Sequence, residues 1–253
     1  MRVLFVSDEV APFTNKSEVA TLVRTLPESL HEGAGVETRI MMPRYGIVSE
    51  RRNRLHEVIR LSGSEISTGE TVEALKVKVA SIPGIRLQVY FMDNAFMFKR
   101  RGIFADKAGK LFTDNPERSI FYAKTVLQTI SNLGWKPDVV HAFGWLSGMV
   151  PFLLKTDYAD HALFSEAKVV YTPQKVDFQG KLTDKMVTDF SLTKSDEISG
   201  KEPSEIGVSF ADGVIHLGSN ESADDAQKFG EDAEANMNLA SAVYERVQSG
   251  VPA

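Results

Sequence analysis

The order of apolar segments along this 253-residue chain predicts an α/β fold, with a mostly parallel sheet and helices on both faces. The first observation is a continuous apolar run at residues 3–6, which is typical of a strand buried on both sides in a parallel sheet. The second is a regular alternation of strand-like and helix-like segments after it. Such alternation is typical of a Rossmann-like, doubly wound sheet, in which ligands bind beyond the carboxyl ends of the strands.

The opening segment predicts a β-α-β unit. Apolar side chains recur at helical spacing over residues 18–32, which predicts an amphipathic helix packed on the sheet. The glycines at residues 33 and 35 end this helix, and residues 36–42 supply the next strand. Short alternating stretches at residues 73–79 and 87–91 then predict antiparallel or edge strands inserted into the parallel sheet.

A second helix is predicted to begin at Asn115, because asparagine can cap a helix and Pro116 suits its first position. A strand at residues 138–141, a helix at 146–155 and a strand at 168–172 repeat the β-α-β rhythm. A last strand at residues 214–217 precedes a long acidic helix, capped by Ser219 or Asn220 and ending near Gln248. We therefore predict one Rossmann-like domain over residues 1–220, with the helix of residues 221–253 packed on it or extending it.

Composition excludes several classes of function. A net charge of −5 argues against nucleic-acid binding, which needs a clustered excess of lysine and arginine. Two short basic clusters, at residues 51–54 and 99–101, are either solvated loop charge or contacts to an anion or partner at the rim of a cleft. The absence of cysteine removes disulfides, thiolate catalysis and cysteine-ligated zinc. Since no stretch of about 18 apolar residues occurs, we predict no membrane segment and a cytoplasmic protein.

The loop after the first strand carries a long match to a known pattern. It reads SDEVAPFTNKSEVATLVRTLP and resembles the opening of bacterial glycogen and starch synthases, which are glycosyltransferases of the two-domain GT-B architecture that use ADP-glucose as donor. Further agreement follows at residues 42–46, 89–94, 102–104, 114–118, 133–141, 178–180 and 211–212. The resemblance covers the family's N-terminal, acceptor-side domain, residues 1 to about 220. Nothing after Leu217 resembles a second sheet, so we expect the donor domain to be absent from this chain.

Three segments depart from the family pattern at the predicted strand ends. Where the family has a Lys-Thr-Gly-Gly turn that meets donor phosphates, this chain has residues 15–18, Asn-Lys-Ser-Glu. Lysine has shifted by one position and Glu18 adds negative charge; Ser17 and Glu18 can also be read simply as a helix start. In the segment VVHAFGWL, Phe143, Gly144 and Leu146 replace the inner histidine, the aspartate and the last histidine of a HAHDWH-like signature. Glutamine and lysine, at residues 174 and 175, replace a His-Asn pair.

The candidate residues of a residual cleft are His141, Trp145, Tyr45, Gln174, Lys16 and Asp114. His141 either binds sugar or phosphate or belongs to the core. Gln174 retains hydrogen-bonding capacity but carries no proton for catalysis. Asp114 is either part of the cleft or a helix cap. The remaining histidines lack metal-ligand spacing, so no metal site is predicted, and no cofactor is expected because binding of ADP-glucose is doubtful.

These observations lead to the hypothesis of a glycogen/starch-synthase-like protein that is catalytically impaired by itself, a pseudoenzyme. It would bind an α-glucan or oligosaccharide, or act as a regulatory subunit that docks onto a partner protein or a second copy of itself. The alternative is one half of a split glycosyltransferase, which moves glucose from ADP-glucose to an α-glucan together with a partner chain.

Overall fold

The computed structural model describes residues 1–69, 71–220, 224 and 227–250. The described strands are β1 (Arg2–Ser7), β2 (Glu37–Pro43), β3 (His56–Glu57), β4 (Glu65–Ser67), β5 (Val72–Ala74), β6 (Lys76–Ser81), β7 (Gln88–Asp93), β8 (Val139–Phe143), β9 (Lys168–Thr172) and β10 (Gly213–Val214). The described α-helices are α1 (Glu18–Ala34), α2 (Glu50–Asn53), α3 (Asn115–Leu133), α4 (Met149–Lys155), α5 (Asp184–Asp189), α6 (Ser195–Ile198), α7 (Pro203–Phe210) and α8 (Ala233–Ser249).

Eight of the strands form one sheet in the order β10-β9-β8-β1-β2-β7-β6-β3. All neighbours from β10 to β7 are parallel, and β6 pairs antiparallel with β7 and with β3. In the central strand, Phe5 lies opposite Ile40 on one side and His141 on the other. The predicted, mostly parallel sheet is thus confirmed. Of the two stretches predicted as antiparallel or edge strands, β6 is antiparallel near the edge, whereas β7 is an inner strand parallel to β2. Strands β4 and β5 form a separate two-stranded ribbon.

Helices cover both faces of the sheet, as predicted. The helix α1 packs beside α8, whereas α4 packs against α3 and α7. The helical spacing of apolar residues in α1 is a true signal, because the five side chains at those positions are all buried: Val19, Leu22, Val23, Leu26 and Leu30. The helix α3 begins at Asn115 and ends before Gly134, which adopts the left-handed conformation that favours glycine there.

Two expectations about elements are wrong, and three short helices were not expected. The acidic helix begins at Ala233, where Asp232 accepts a hydrogen bond from the backbone of Ala235, and not near Asn220. Within residues 220–232, Lys228 instead forms a bridge with His216, and residues 221–223, 225 and 226 lie outside the described part of the chain. The last strand covers residues 213 and 214 rather than 214–217. The short helices α5, α6 and α7 were not predicted, because their few apolar residues set up no extended period.

Candidate functional site

The loops that follow β1, β8 and β9 meet at the carboxyl end of the parallel sheet. The loops after β1 and β9, together with Ile47 and residues 101–107, line an open cavity of about 580 Å³, which we call the aromatic cavity. Its walls include the half-buried rings of Phe104 and Phe178, whose centroids lie 5.2 Å apart. Glu9, Lys16 and Gln174 also line it, so two of the six residues predicted for a cleft, Lys16 and Gln174, lie there.

His141 lies in the core and does not line the aromatic cavity. Its Nδ1 is 2.7 Å from the hydroxyl of Tyr244 in α8, and its Nε2 is 2.9 Å from Oγ1 of Thr172. The ring is fully buried and stacks on Phe143 at 3.8 Å between centroids. Burial lowers the pKa of His141 well below its ordinary value, because a cation is poorly solvated there. The sequence left open whether His141 binds a ligand or belongs to the core, and the structure places it in the core.

Trp145 and Tyr45 are likewise fully buried and do not line the aromatic cavity. The indole of Trp145 packs on Phe178 and Phe104, with centroid distances of 5.1 and 5.9 Å. A Cβ atom at Gly180 would lie 2.6 Å from this indole, so glycine is needed for the close approach. The hydroxyl of Tyr45 donates to the backbone carbonyl of Asp8 at 3.0 Å. Trp145 therefore supports the wall of the aromatic cavity, whereas Tyr45 holds the loop after β1.

Asp114 neither lines the cavity nor caps α3 with its side chain. Although it is the N-cap residue, its carboxylate forms two hydrogen bonds of 2.5 Å with the guanidinium of Arg100. The neighbouring Arg118 is fully buried and donates to the carbonyl oxygens of Met97 and Ile103 at 2.7 and 2.6 Å. These contacts fasten the loop that forms one wall of the aromatic cavity, a role of Arg118 that sequence reasoning missed.

Asp8, also missed from the sequence, is a fully buried acid at the end of β1. Its carboxylate accepts hydrogen bonds from the backbone of Leu146 at 2.7 Å and from the backbone and hydroxyl of Ser147 at 2.9 and 2.7 Å. Burial raises the pKa of Asp8 to about 7, against the opposing effect of these three donors. Asp8 thereby joins the loop after β1 to the loop after β8.

Gly144 is required by the position of Asp8. It has φ of +96°, and a Cβ atom there would lie 2.5 Å from the Asp8 carboxyl carbon. The carboxyl group of Asp8 thus occupies the space that a side chain at position 144 would need. The only signal in the sequence was an acidic residue directly after a buried strand, and nothing in the sequence showed that it points inward.

Glu18 ties the start of α1 to the loop after β10. Its carboxylate accepts hydrogen bonds from the backbone N–H groups of Gly218 at 2.8 Å and Ser219 at 3.3 Å. Within the loop between β1 and α1, the Glu9 carboxylate accepts a hydrogen bond from the backbone N–H of Lys16 at 3.0 Å. The reading of Ser17 and Glu18 as a helix start is correct, although the Ser17 side chain makes no capping bond. Carboxylates of the protein itself therefore engage the backbone donors of Lys16, Gly218 and Ser219.

The described residues form neither a metal-binding cluster nor a membrane-spanning helix. Among them, no group of three or more histidine, cysteine, aspartate or glutamate side chains is arranged to hold a metal ion. No helix in that part of the chain is long and apolar enough to cross a bilayer.

Comparison with known proteins gives a consistent picture. The family model described as starch synthase catalytic domain matches residues 2–237. Glycogen synthase of Chlorobium limicola is 44% identical over 182 residues, which cover 72% of this chain and 37% of that protein. The Chlorobium luteolum enzyme is 42% identical over 200 residues, covering 79% and 40%. The chain therefore spans about two fifths of the length of these relatives.

Among solved structures, the catalytic domain of starch synthase IV from Arabidopsis thaliana, bound to ADP and acarbose, superposes with a TM-score of 0.69. The match covers 96% of this chain and 50% of that one, at 17% sequence identity. At this level of identity the likeness establishes the fold, and it agrees with the Rossmann-like half of a GT-B architecture predicted from the sequence.

Proposed function

The chain belongs to the starch synthase catalytic domain family, and from this premise we propose that it binds an α-glucan without transferring glucose by itself. One observation carries the proposal. The face beyond the strand ends keeps an open cavity with aromatic walls, while Phe143 and Leu146 are buried and Glu18 is engaged by backbone donors of the protein.

The aromatic cavity has the chemistry of a sugar site. Phe104 and Phe178 offer ring faces to the apolar C–H surface of a pyranose, and such large rings contribute most of the contact energy in binding sites. Carboxylates of Glu9, Asp106 and Asp177 provide acceptors for sugar hydroxyls around these rings. A volume of about 580 Å³ and an open mouth suit a segment of an oligosaccharide chain.

Two features argue against transfer by this chain acting by itself. Phe143 and Leu146 are fully buried and the β8 loop offers the cavity no acid or base. Departure of a nucleoside diphosphate requires positioned positive charge or backbone donors at the phosphates. Here Glu18 places a carboxylate at the start of α1 and engages the amides of Gly218 and Ser219.

The proposed role is that of a glucan-binding or regulatory subunit, working with a partner protein or a second copy of the chain. The alternative, half of a split transferase, would use the same glucan site but obtain donor-binding groups from another polypeptide. The two functions differ in one measurable property, which is transfer in the presence of a separate donor domain.

The test is calorimetric titration of the full chain with maltoheptaose, together with a transfer assay using labelled ADP-glucose. We expect binding without transfer. Phe178→Ala should weaken binding roughly tenfold through loss of ring contact. The matched control is Phe96→Ala, because Phe96 is 61% exposed and lies outside the cavity lining.

Lack of maltoheptaose binding, or equal effects of the two phenylalanine substitutions, would overturn the glucan-binding proposal. Sustained glucose transfer by the purified chain would contradict its impairment. Transfer that begins only when a donor-domain polypeptide is added would decide for the split enzyme.

A further inference from the structure

A second cavity lies beside the first, beyond the ends of β9 and β10. It has a volume of about 540 Å³, and we call it the polar cavity because six of its eight lining residues are polar: Gln174, Lys175, Ser204, His216, Ser219 and Asn220. Gln174 lines both cavities. No carboxylate side chain is among the described residues that line the polar cavity.

Three hydrogen-bond donors of the polar cavity have no acceptor within the described part of the protein. The ammonium group of Lys175 and the hydroxyl of Ser204 make no hydrogen bond or ion pair there. The amide nitrogen of Asn220 lies 3.1 Å from Nδ1 of His216 and can only donate, so Nδ1 is the acceptor. The other ring nitrogen, Nε2, then carries a hydrogen and donates to none of the described residues. A cation and two further donors, with no carboxylate among the described lining residues, are complementary to an anion.

Gln174 adds a group of opposite character. Its side-chain oxygen is buried and accepts no hydrogen bond from the described residues. A buried acceptor without a partner is unfavourable, because it has lost its hydrogen bonds to water. Because the terminal torsion of glutamine is soft, the amide can turn to accept from a hydroxyl group of a ligand in either cavity. A ligand that satisfies this whole set needs both anionic oxygens and a hydroxyl donor.

The charges along the strand ends agree with this placement. At the start of α1, Glu18 already engages the backbone donors of Gly218 and Ser219, so this position disfavours a second anion. On the neighbouring loop, Lys175 contributes a positive charge with no countercharge among the described residues. Of these two positions, the loop after β9 is therefore the more favourable one for a phosphate.

We propose that the polar cavity binds the phosphate of a phosphorylated sugar, with Lys175 and His216 contacting the phosphate and Gln174 contacting a sugar hydroxyl. This inference rests on the proposed function, since it names a ligand for the same strand-end face. It makes the aromatic cavity the site of neutral glucan units and the polar cavity the site of the charged group.

Glucose 1-phosphate, inorganic phosphate and glucose are titrated separately into the full chain. We expect glucose 1-phosphate to bind at least tenfold more tightly than either of the other two. Lys175→Met should weaken its binding tenfold or more, because a charge-assisted contact is lost. Lys181→Met is the matched control, as Lys181 is an exposed lysine nearby that does not line the cavity. Gln174→Leu should weaken binding of glucose 1-phosphate but not that of inorganic phosphate.

The inference fails if Lys175→Met and Lys181→Met bind glucose 1-phosphate equally well, or if Gln174→Leu leaves its affinity unchanged. Binding of maltoheptaose without any preference for glucose 1-phosphate over glucose overturns this inference and leaves the proposed function standing. Binding of glucose 1-phosphate without binding of maltoheptaose supports the phosphate site and overturns the glucan-binding function. Thermal melting of each variant establishes that it is folded.

Discussion

Asp8 shows how a single buried carboxyl can define the strand-end face. It is enclosed by the protein, it holds the backbone of Leu146 and Ser147, and its presence requires glycine at position 144. Burial opposes ionisation more strongly than the three donors favour it, so its pKa is raised from 3.8 to about 7. The folded protein therefore retains this proton at pH values where the unfolded chain has lost it.

This difference predicts a pH-dependent stability. With the folded pKa above the unfolded one, the contribution of Asp8 is fully present below pH about 4 and is lost as the pH rises to about 7. At about 1.4 kcal/mol per pKa unit, the loss is at most about 4 kcal/mol. Urea unfolding of the wild type and Asp8→Asn at several pH values measures it. The free energy of unfolding should fall more steeply with pH in the wild type, and parallel curves would refute the assignment.

The position of a whole element, the helix α8, also depends on a buried polar side chain. It packs beside α1 and buries Ala240, Val243, Tyr244 and Val247, so a modest apolar stripe is enough to hold it. The stripe includes Tyr244, whose hydroxyl satisfies the buried His141 ring. A histidine that resembles part of an active-site signature thus works here as an attachment point for the C-terminal helix.

Removing this hydroxyl should destabilise the protein. Tyr244→Phe leaves Nδ1 of His141 buried without a partner, which costs about 1–3 kcal/mol. Chemical denaturation measures the change. Tyr158→Phe is the control, because the Tyr158 hydroxyl makes no hydrogen bond to the described residues and its loss should cost little. A similar small effect of both substitutions would contradict the structural role of His141.

Elements with a strong local period were predictable and those fixed by distant contacts were not. The apolar spacing of α1 and the continuous apolar run of β1 located both elements from the sequence alone. The start of α8 was misplaced, because the acidic stretch before it has no apolar period and its capping residue, Asp232, resembles its acidic neighbours. Local patterns do not distinguish a cap from a solvated charge.

The candidate site follows the same rule. The sequence indicated the carboxyl ends of the parallel strands, and two of its six candidate residues, Lys16 and Gln174, line the aromatic cavity there. It could not place His141, because both faces of a central parallel strand are buried and its partner Tyr244 is 103 positions away. Asp8 was missed for a similar reason, since the backbone groups that it binds lie 138 and 139 positions along the chain.

At the scale of the whole molecule, the buried apolar residues form one cluster that includes strands, α1 and α8 alike. Residues of α8 such as Val243 and Val247 belong to the same core as Val3 and Phe5 of the central strand. The C-terminal helix is therefore an integral part of the domain in energetic terms. A loosely attached helix would unfold by itself, whereas a helix that shares the core should unfold with the sheet.

Native-state hydrogen exchange tests this cooperativity. Amides in the middle of α8 should exchange with nearly the same opening free energy as those of β1, because both open only when the shared core is disrupted. The single-turn helix α6, which buries only Ile198, should open at a much lower free energy and serves as an internal reference. Increasing urea should lower the opening free energies of α8 and β1 in parallel. Exchange of α8 at the low opening free energy of α6, with β1 still protected, would show that the helix is an independent attachment.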